Sequence, residues 1–324
     1  MLFSTLASNL FSMYNYRFHL VFILTMLLVS CNQKRGADRT DTTTSGVARV
    51  VTDDCLTPLV KEQVGVFEGL HPEATIELQS TSELEAFKQL YADSVRLIVA
   101  ARDLTSKEKK VLLDKGLLPR STKIAVDGIA LIVNNQNRDT LITTNQFKQI
   151  LDGKILNWKE LSPKSTLGKI QVVFDNAGSS TVRYMRDSIS RGKIKSPNVY
   201  AQNSNQEVLD YVAKTPNAMG VIGVSWISST QDTALFSFTN RIRVMSVSPF
   251  DEADEDNSYL PYPAYLILEK YPFRRDIFMI ITDPGGYLPS GFMNFVGGQY
   301  GQRLVLKMGM VPANAPMRIV QVKE

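Results

Sequence analysis

The sequence predicts an α/β fold of two lobes flanking a cleft. Three observations carry that expectation. Strand-like and amphipathic helical segments alternate from Val47 onward, a long extended stretch (Thr122–Asn135) interrupts them, and a second α/β unit follows. Such alternation argues for a mostly parallel sheet covered by helices. Two units joined by extended crossovers can close on a ligand by hinge motion. At 324 residues, 44% hydrophobic and 21% charged, the chain is long enough for two modest lobes.

The first unit opens with the β-branched run Val47–Val51. In Pro58–Leu70, Val60, Val64 and Phe67 share one helical face, and Pro58 suits a first turn. Ala74–Leu78 reads as a strand, Ser82–Tyr91 as a helix burying Leu84, Phe87 and Tyr91, and Val95–Ala101 as a strand buried on both faces. Thr105 and Glu108 make a capping box for the helix that follows. Thr122–Asn135, broken at Gly128, is the expected crossover. Beyond it come helix Asn145–Leu151, strand Lys169–Phe174, a helix from Thr181, helix Asn205–Ala213 and strand Gly220–Ile227. The acidic run Asp251–Asn257 reads as a solvated loop. Strand Arg275–Ile281 and helices around Gly291–Val296 and Gly301–Gly309 close the chain. The expected partition is residues 47–129 with 241–324 as lobe one and residues 130–240 as lobe two. Trp158 and Trp226 are expected in the core.

The N-terminus is a targeting segment rather than fold. Leu20–Cys31 is an apolar stretch behind Arg17, too short to span a bilayer comfortably, with the layout of a signal peptide. Leu28-Val29-Ser30-Cys31 resembles a bacterial lipobox, whose cysteine becomes the lipid-bearing first residue. Residues 1–30 are therefore read as the signal, with Met13 an alternative start. Residues 31–46, polar and threonine-rich, are read as a tether.

Composition excludes several chemistries. The net charge of +4 is spread without basic runs, so no nucleic-acid partner is expected. Cys31, Cys55 and, beyond the signal, His71 are too few for a His/Cys zinc site. A Ser-His-Asp triad would need His71, which lies in a helix-ending loop. No enzyme, cofactor or metal is expected.

"FDNAGSSTVRYMRD" (Phe174–Asp187) reads as a strand end, a small-residue turn and a helix start, a place suited to an anion. Other blocks point to a family. "IAVDGIALIVNNQN", "FKQILDGKILNW", "MGVIGVSW", "YPFRRDIFMII" and "GQRLVLKMGMVP" occur in an order that resembles the PstS-like phosphate-binding components of ABC transporters. The resemblance covers roughly Val47 to Pro312. It implies a type II periplasmic-binding-protein-like fold and a monomer that captures phosphate or a related oxyanion at three helix starts for an ABC permease.

Carried onto this chain, those helix starts are Asp54 and Cys55 after Asp53, then Thr81 and Ser82 after Ser80, then Ser179, Ser180 and Thr181. Arg102 matches the family's arginine after the third strand and is expected to supply positive charge. Asp175 stands where the family has arginine. One carboxylate about 4 Å from a monoanion costs ~4 kcal/mol at an effective dielectric of 20. Tight capture of a phosphate dianion is therefore disfavoured, unless a protonated oxyanion donates to the carboxylate. Two functions follow: a lipid-anchored periplasmic receptor for uptake, or an envelope protein whose altered cleft serves membrane-protein partners. Either is held at the cell membrane or outer membrane through Cys31. A Cys31→Ser variant should leave the membrane fraction or persist as unprocessed precursor; a variant that still fractionates as processed lipoprotein contradicts the lipobox.

Overall fold

The computed structural model describes residues 39–229 and 237–314. The expected signal segment, Cys31 and most of the tether lie outside the described residues.

Strand β1 (Gly46–Asp53) runs into a tight 3-10 turn, Asp54–Leu56, and then helix α1 (Thr57–Leu70). Pro58 occupies the first turn of α1, where a missing N–H costs nothing, and Val60, Val64 and Phe67 are buried. Strand β2 (Ala74–Thr81), helix α2 (Glu83–Tyr91), strand β3 (Leu97–Ala100) and helix α3 (Ser106–Asp114) complete the first alternation. The capping box is present: Glu108 N–H donates to Thr105 Oγ1 at 3.3 Å, and Thr105 N–H to Glu108 Oε2 at 2.7 Å.

Leu84 departs from expectation. It is 57% exposed, because α2 buries Glu83, Ala86, Phe87 and Leu90, a stripe that turns Leu84 outward.

Strand β4 (Arg120–Val133) leads into the second half. There follow β5 (Leu141–Thr143), α4 (Thr144–Leu151), α5 (Trp158–Leu161), β6 (Gln171–Phe174) and α6 (Ser180–Tyr184). Helix α6 continues as a wider π turn, Met185–Ser190, before β7 (Val199–Ala201), α7 (Asn205–Lys214), β8 (Ala218–Gly223) and a 3-10 turn, Val224–Trp226. Short strands β9 (Ser228–Ser229), β10 (Ser237–Phe238), β11 (Arg243–Val244) and β12 (Ser246–Ser248) precede α8 (Pro263–Ile267). The chain ends with β13 (Arg274–Ile281), α9 (Leu288–Gly297), α10 (Gln299–Lys307) and β14 (Val311–Pro312).

One sheet runs in the order β2-β1-β3-β13-β4-β8-β6-β7, with β11 and β14 also on β4. Strands β1, β2 and β3 are parallel, as are β6, β7 and β8, while β4 and β13 run antiparallel to their neighbours. Strand β4 belongs to both halves: residues 120–128 pair with β13, residues 129–133 with β8. The crossover falls at Gly128, where a Cβ would lie 3.0 Å from Pro261 and 3.2 Å from Leu266.

The chain returns to the first half near Arg274 rather than at the expected 241. Strand β11 pairs with Val133 and Ile132, and β12 pairs with β5. Met245, Val247, Leu266, Tyr271 and Phe273 pack with Trp158 and Phe147 in the second half's core. The apolar side chains of 245–273 cover the outer face of that half. The ordered body also starts within the expected tether: Asp41 accepts the backbone N–H of Leu288 at 3.1 Å.

One face of the sheet carries a core containing Phe67 and Phe292 of the first half together with Val208 and Val212 of the second. On the other face each half has its own core, around Phe87 and Leu90 in one and Trp158 in the other. Trp226 is only half-buried, and its indole donates to the Asp54 carbonyl at 3.1 Å. The acidic loop is largely exposed and tied by Asp254–Asn257 bonds. This arrangement leaves the C-terminal ends of β1, β2 and β6 facing one region.

Candidate functional site

Strand β1 delivers Asp53 at its last position, in register with Thr81 at the end of β2. Ser82 caps α2, its hydroxyl accepting Glu85 N–H at 3.3 Å, and Ser179 caps α6, accepting Val182 N–H at 3.3 Å. Crossing strands β4 and β13 contribute Asp127 and Arg275. Asp53, Asp127, Asp175, Ser180, Thr181 and Asn205 are fully buried, and Arg275 is 6% exposed.

Arg275 sits at the centre. Its Nε donates to Asp127 Oδ2 at 3.0 Å, Nη1 to Ser180 Oγ at 2.7 Å, and Nη2 to Cys55 Sγ at 2.8 Å. Ser180 Oγ in turn donates a hydrogen bond to Asp53 Oδ2, making a short chain from guanidinium to hydroxyl to carboxylate.

Asp175 turns elsewhere. Its Oδ1 accepts from Thr181 Oγ1 at 2.6 Å and its Oδ2 from Asn205 Nδ2 at 3.0 Å. Asp54 accepts from Asn205 backbone and side chain at 2.8 and 2.7 Å and from Ser80 at 3.0 Å.

Several of these bonds join the two halves. Leu84 N–H also donates to Gly178 O at 3.1 Å, and Arg183 pairs with Glu83 while donating to Ala101 O at 2.9 Å. At Gly223 a Cβ would lie 2.5 Å from Cys55 Sγ, so only glycine permits this approach. The halves are closed on each other around the buried cluster.

Burial dominates the ionisation of the acids. It pushes Asp53 up to about 8, reinforced by the charges of Asp175 and Glu83 and opposed by the Ser180 hydrogen bond and Arg275. Asp175 is raised by burial against the hydroxyls that bond it, and Asp127 by burial against Arg275. Burial works against the charge on Arg275, but Cys55, Asp127 and Asp53 outweigh it and hold the guanidinium ionised. Among the described residues no group of three or more His, Cys, Asp or Glu side chains is arranged to hold a metal ion.

The structure brings together most of the residues expected from sequence: Asp54, Cys55, Asp175, Ser179, Ser180 and Thr181, with Thr81 and Ser82 at the adjoining strand end. Arg102 is not among them. Glu108 takes its guanidinium in two bonds of 2.8 and 2.9 Å, and it lies over the Phe87 ring at 3.7 Å. It also approaches Glu83 Oε1 at 4.0 Å and lines an outer cavity with Gly178, Ser179 and Arg183. Within the buried cluster the positive charge comes from Arg275, which sequence reading missed together with Asp127 and Asn205. The available signal was an aspartate inside the apolar run "IAVDGIALIV" and an arginine in the strand "RDIFMII": two opposite charges in buried strands need each other.

A family model described as a PBP superfamily domain matches residues 37–298. The chain belongs to that superfamily. Its fold is the periplasmic-binding-protein fold, and the family is one of substrate-binding proteins rather than enzymes. The phosphate-binding protein PstS of Staphylococcus epidermidis is 23% identical over 284 residues, covering 86% of this chain and 82% of that one. Two solved structures are similar in fold. A phosphate ABC-transporter substrate-binding protein from Clostridium perfringens, with bound phosphate, superposes with TM-score 0.68 at 21% identity, covering 83% of this chain and all of that one. An ABC-type phosphate transport receptor from Vibrio cholerae gives TM-score 0.60 at 19% identity, covering 82% of this chain and all of that one.

The buried ion pair generates a prediction. Arg275→Met leaves Asp127 buried without its partner and should cost about 3–5 kcal/mol in urea unfolding. Adding Asp127→Leu should recover part of that loss. Additive losses in the double variant would mean the two side chains do not act as a pair.

Proposed function

We propose that this chain is a lipid-anchored, extracytoplasmic substrate-binding protein that takes phosphate or a related small oxyanion between its halves for ABC-type uptake. One observation carries the reading. Ser179, Ser180 and Thr181 from one half converge with Asp53 and Asp54 from the other at the C-terminal ends of the strands. Open α/β sheets take their ligands at that edge. The staphylococcal PstS relative and the phosphate-bound clostridial neighbour support the ligand class. The lipobox at Cys31 supports the anchor, and an ABC permease is the partner this reading implies.

The carboxylates narrow the form of the ligand. A fully ionised oxyanion meets repulsion of about 4 kcal/mol from each charged carboxylate near 4 Å. A protonated oxyanion donates a hydrogen bond to the same group, and a carboxyl that keeps its own proton repels nothing.

A second reading has its own observation. The donors of Arg275 go to Asp127, Ser180 and Cys55, partners within the chain. That arrangement favours an envelope protein that keeps the fold, forgoes the anion and contacts membrane proteins.

Calorimetry of the mature domain with phosphate separates the two. Asp53, pushed up to about 8, carries its proton near pH 6 and is charged near pH 9. Phosphate gains negative charge in the same direction, so binding should be at least about tenfold tighter near pH 6, a difference of about 1.4 kcal/mol. Absence of phosphate binding at both pH values, with a membrane protein co-purifying, selects the second reading.

A further inference from the structure

The carboxylate at the end of β1 has a role that its packing does not supply. We propose that Asp53 is a specificity gate: its carboxylate occupies the anion seat at the Ser180 hydroxyl, which the Arg275 guanidinium backs from its other side, and an oxyanion enters only by displacing it. The inference rests on the oxyanion-binding reading above and names the residue that sets its selectivity.

Among the three acids Asp53, Asp54 and Asp175 at the strand ends, bond inventories set Asp53 apart. Asp175 has both oxygens satisfied, by Thr181 and Asn205, and Asp54 has both satisfied, by Ser80 and Asn205. Asp53 has one oxygen on Ser180, while its Oδ1 is buried without a hydrogen-bond partner. An unsatisfied buried acceptor is costly, so the carboxylate is not there to complete a bonding network. What it does satisfy is the seat. Ser180 Oγ accepts a hydrogen bond from Arg275 and so directs its own O–H to an acceptor beyond, the part an oxyanion oxygen would play.

The charged groups facing Asp53 explain why the carboxylate can be displaced. Asp175 beyond β6 and Glu83 at the start of α2 repel it, and Arg275 on β13 attracts it. Asp54 and Cys55 follow it in the chain. Two acids against one guanidinium leave Asp53 held less firmly than the Asp127–Arg275 pair, whose two contacts are 3.0 and 2.9 Å. Sequence reading assigned the blocking role to Asp175, but that side chain is bonded away from Ser180. Removing the Asp53 carboxylate leaves the Ser180 O–H without its internal acceptor, with the Arg275 guanidinium still behind that hydroxyl, and it subtracts one negative charge.

The test titrates wild type, Asp53→Ser and Asp53→Asn with sodium sulfate and with sodium phosphate near pH 9, on the alkaline side of the value of about 8 to which burial pushes Asp53. Sulfate has no proton to donate there, so it reports on the seat alone. Asp53→Ser should bind both anions at least about tenfold tighter than wild type, since half of a ~4 kcal/mol repulsion already exceeds that ratio. Asp53→Asn keeps an acceptor for Ser180 without the charge, and should gain less in the same direction. Asp53→Asn alone decides the matter if the serine variant does not fold. A folded variant that binds sulfate no better than wild type overturns the gate. If wild type binds phosphate near pH 6 and neither variant gains, the receptor reading stands and the gate falls. If the variants gain sulfate while wild type binds no phosphate at any pH, the gate stands and the receptor reading falls.

Discussion

The buried guanidinium of Arg275 is the constraint around which the two halves are arranged. A cation out of water costs several kcal/mol unless a counter-charge and further acceptors meet it. Here Asp127 supplies the charge, Ser180 and Cys55 supply the rest, and the four residues come from β13, β4, α6 and the turn after β1. Strands β4 and β13 are also the two connections between halves. The pair therefore ties the hinge, while Ser180 and Cys55 tie the second and first halves to it. Gly223 completes the closure, because any side chain there would strike Cys55.

The other polar residues follow from that closure. Hydroxyls that an anion-binding turn would aim at a ligand are each directed to a carboxylate: Ser180 to Asp53, Thr181 to Asp175, Ser80 to Asp54. Acid–hydroxyl pairs of this kind fill the seat with the chain's own carboxyl groups. They also make the site sensitive to proton concentration, because a buried aspartic acid that gives up its proton adds charge to a region already holding several acids. An oxyanion receptor built this way discriminates by protonation state as well as by shape.

What the sequence revealed was mainly what is local. The capping box at Thr105, the buried face of α1 and the crossover at Gly128 depend on short spacings, and they were readable. The buried stripe of α2 was misread because Leu84 is apolar, yet Glu83 turns inward to Arg183. Arg102 was assigned by its place after a strand, but Glu108, six residues on, competes for it successfully. Residues 245–273 carry few regular elements, so their membership of the second half shows only through packing. The pairing of Asp127 with Arg275 spans 148 positions, and local spacing gives no access to it. Individual charges were legible; their partners, set by the sheet order, were not.

Asp53 is a buried carboxyl group seated on Ser180, with Arg275 behind that hydroxyl and other acids around it. Carbon-13 NMR of the aspartate carboxyl groups, with Asp53→Asn assigning the signal, measures this directly in the mature domain without ligand. The Asp53 carboxyl should titrate near 8, and its transition should disappear in the variant. Titration at about 4, as for a solvated aspartate, would contradict it.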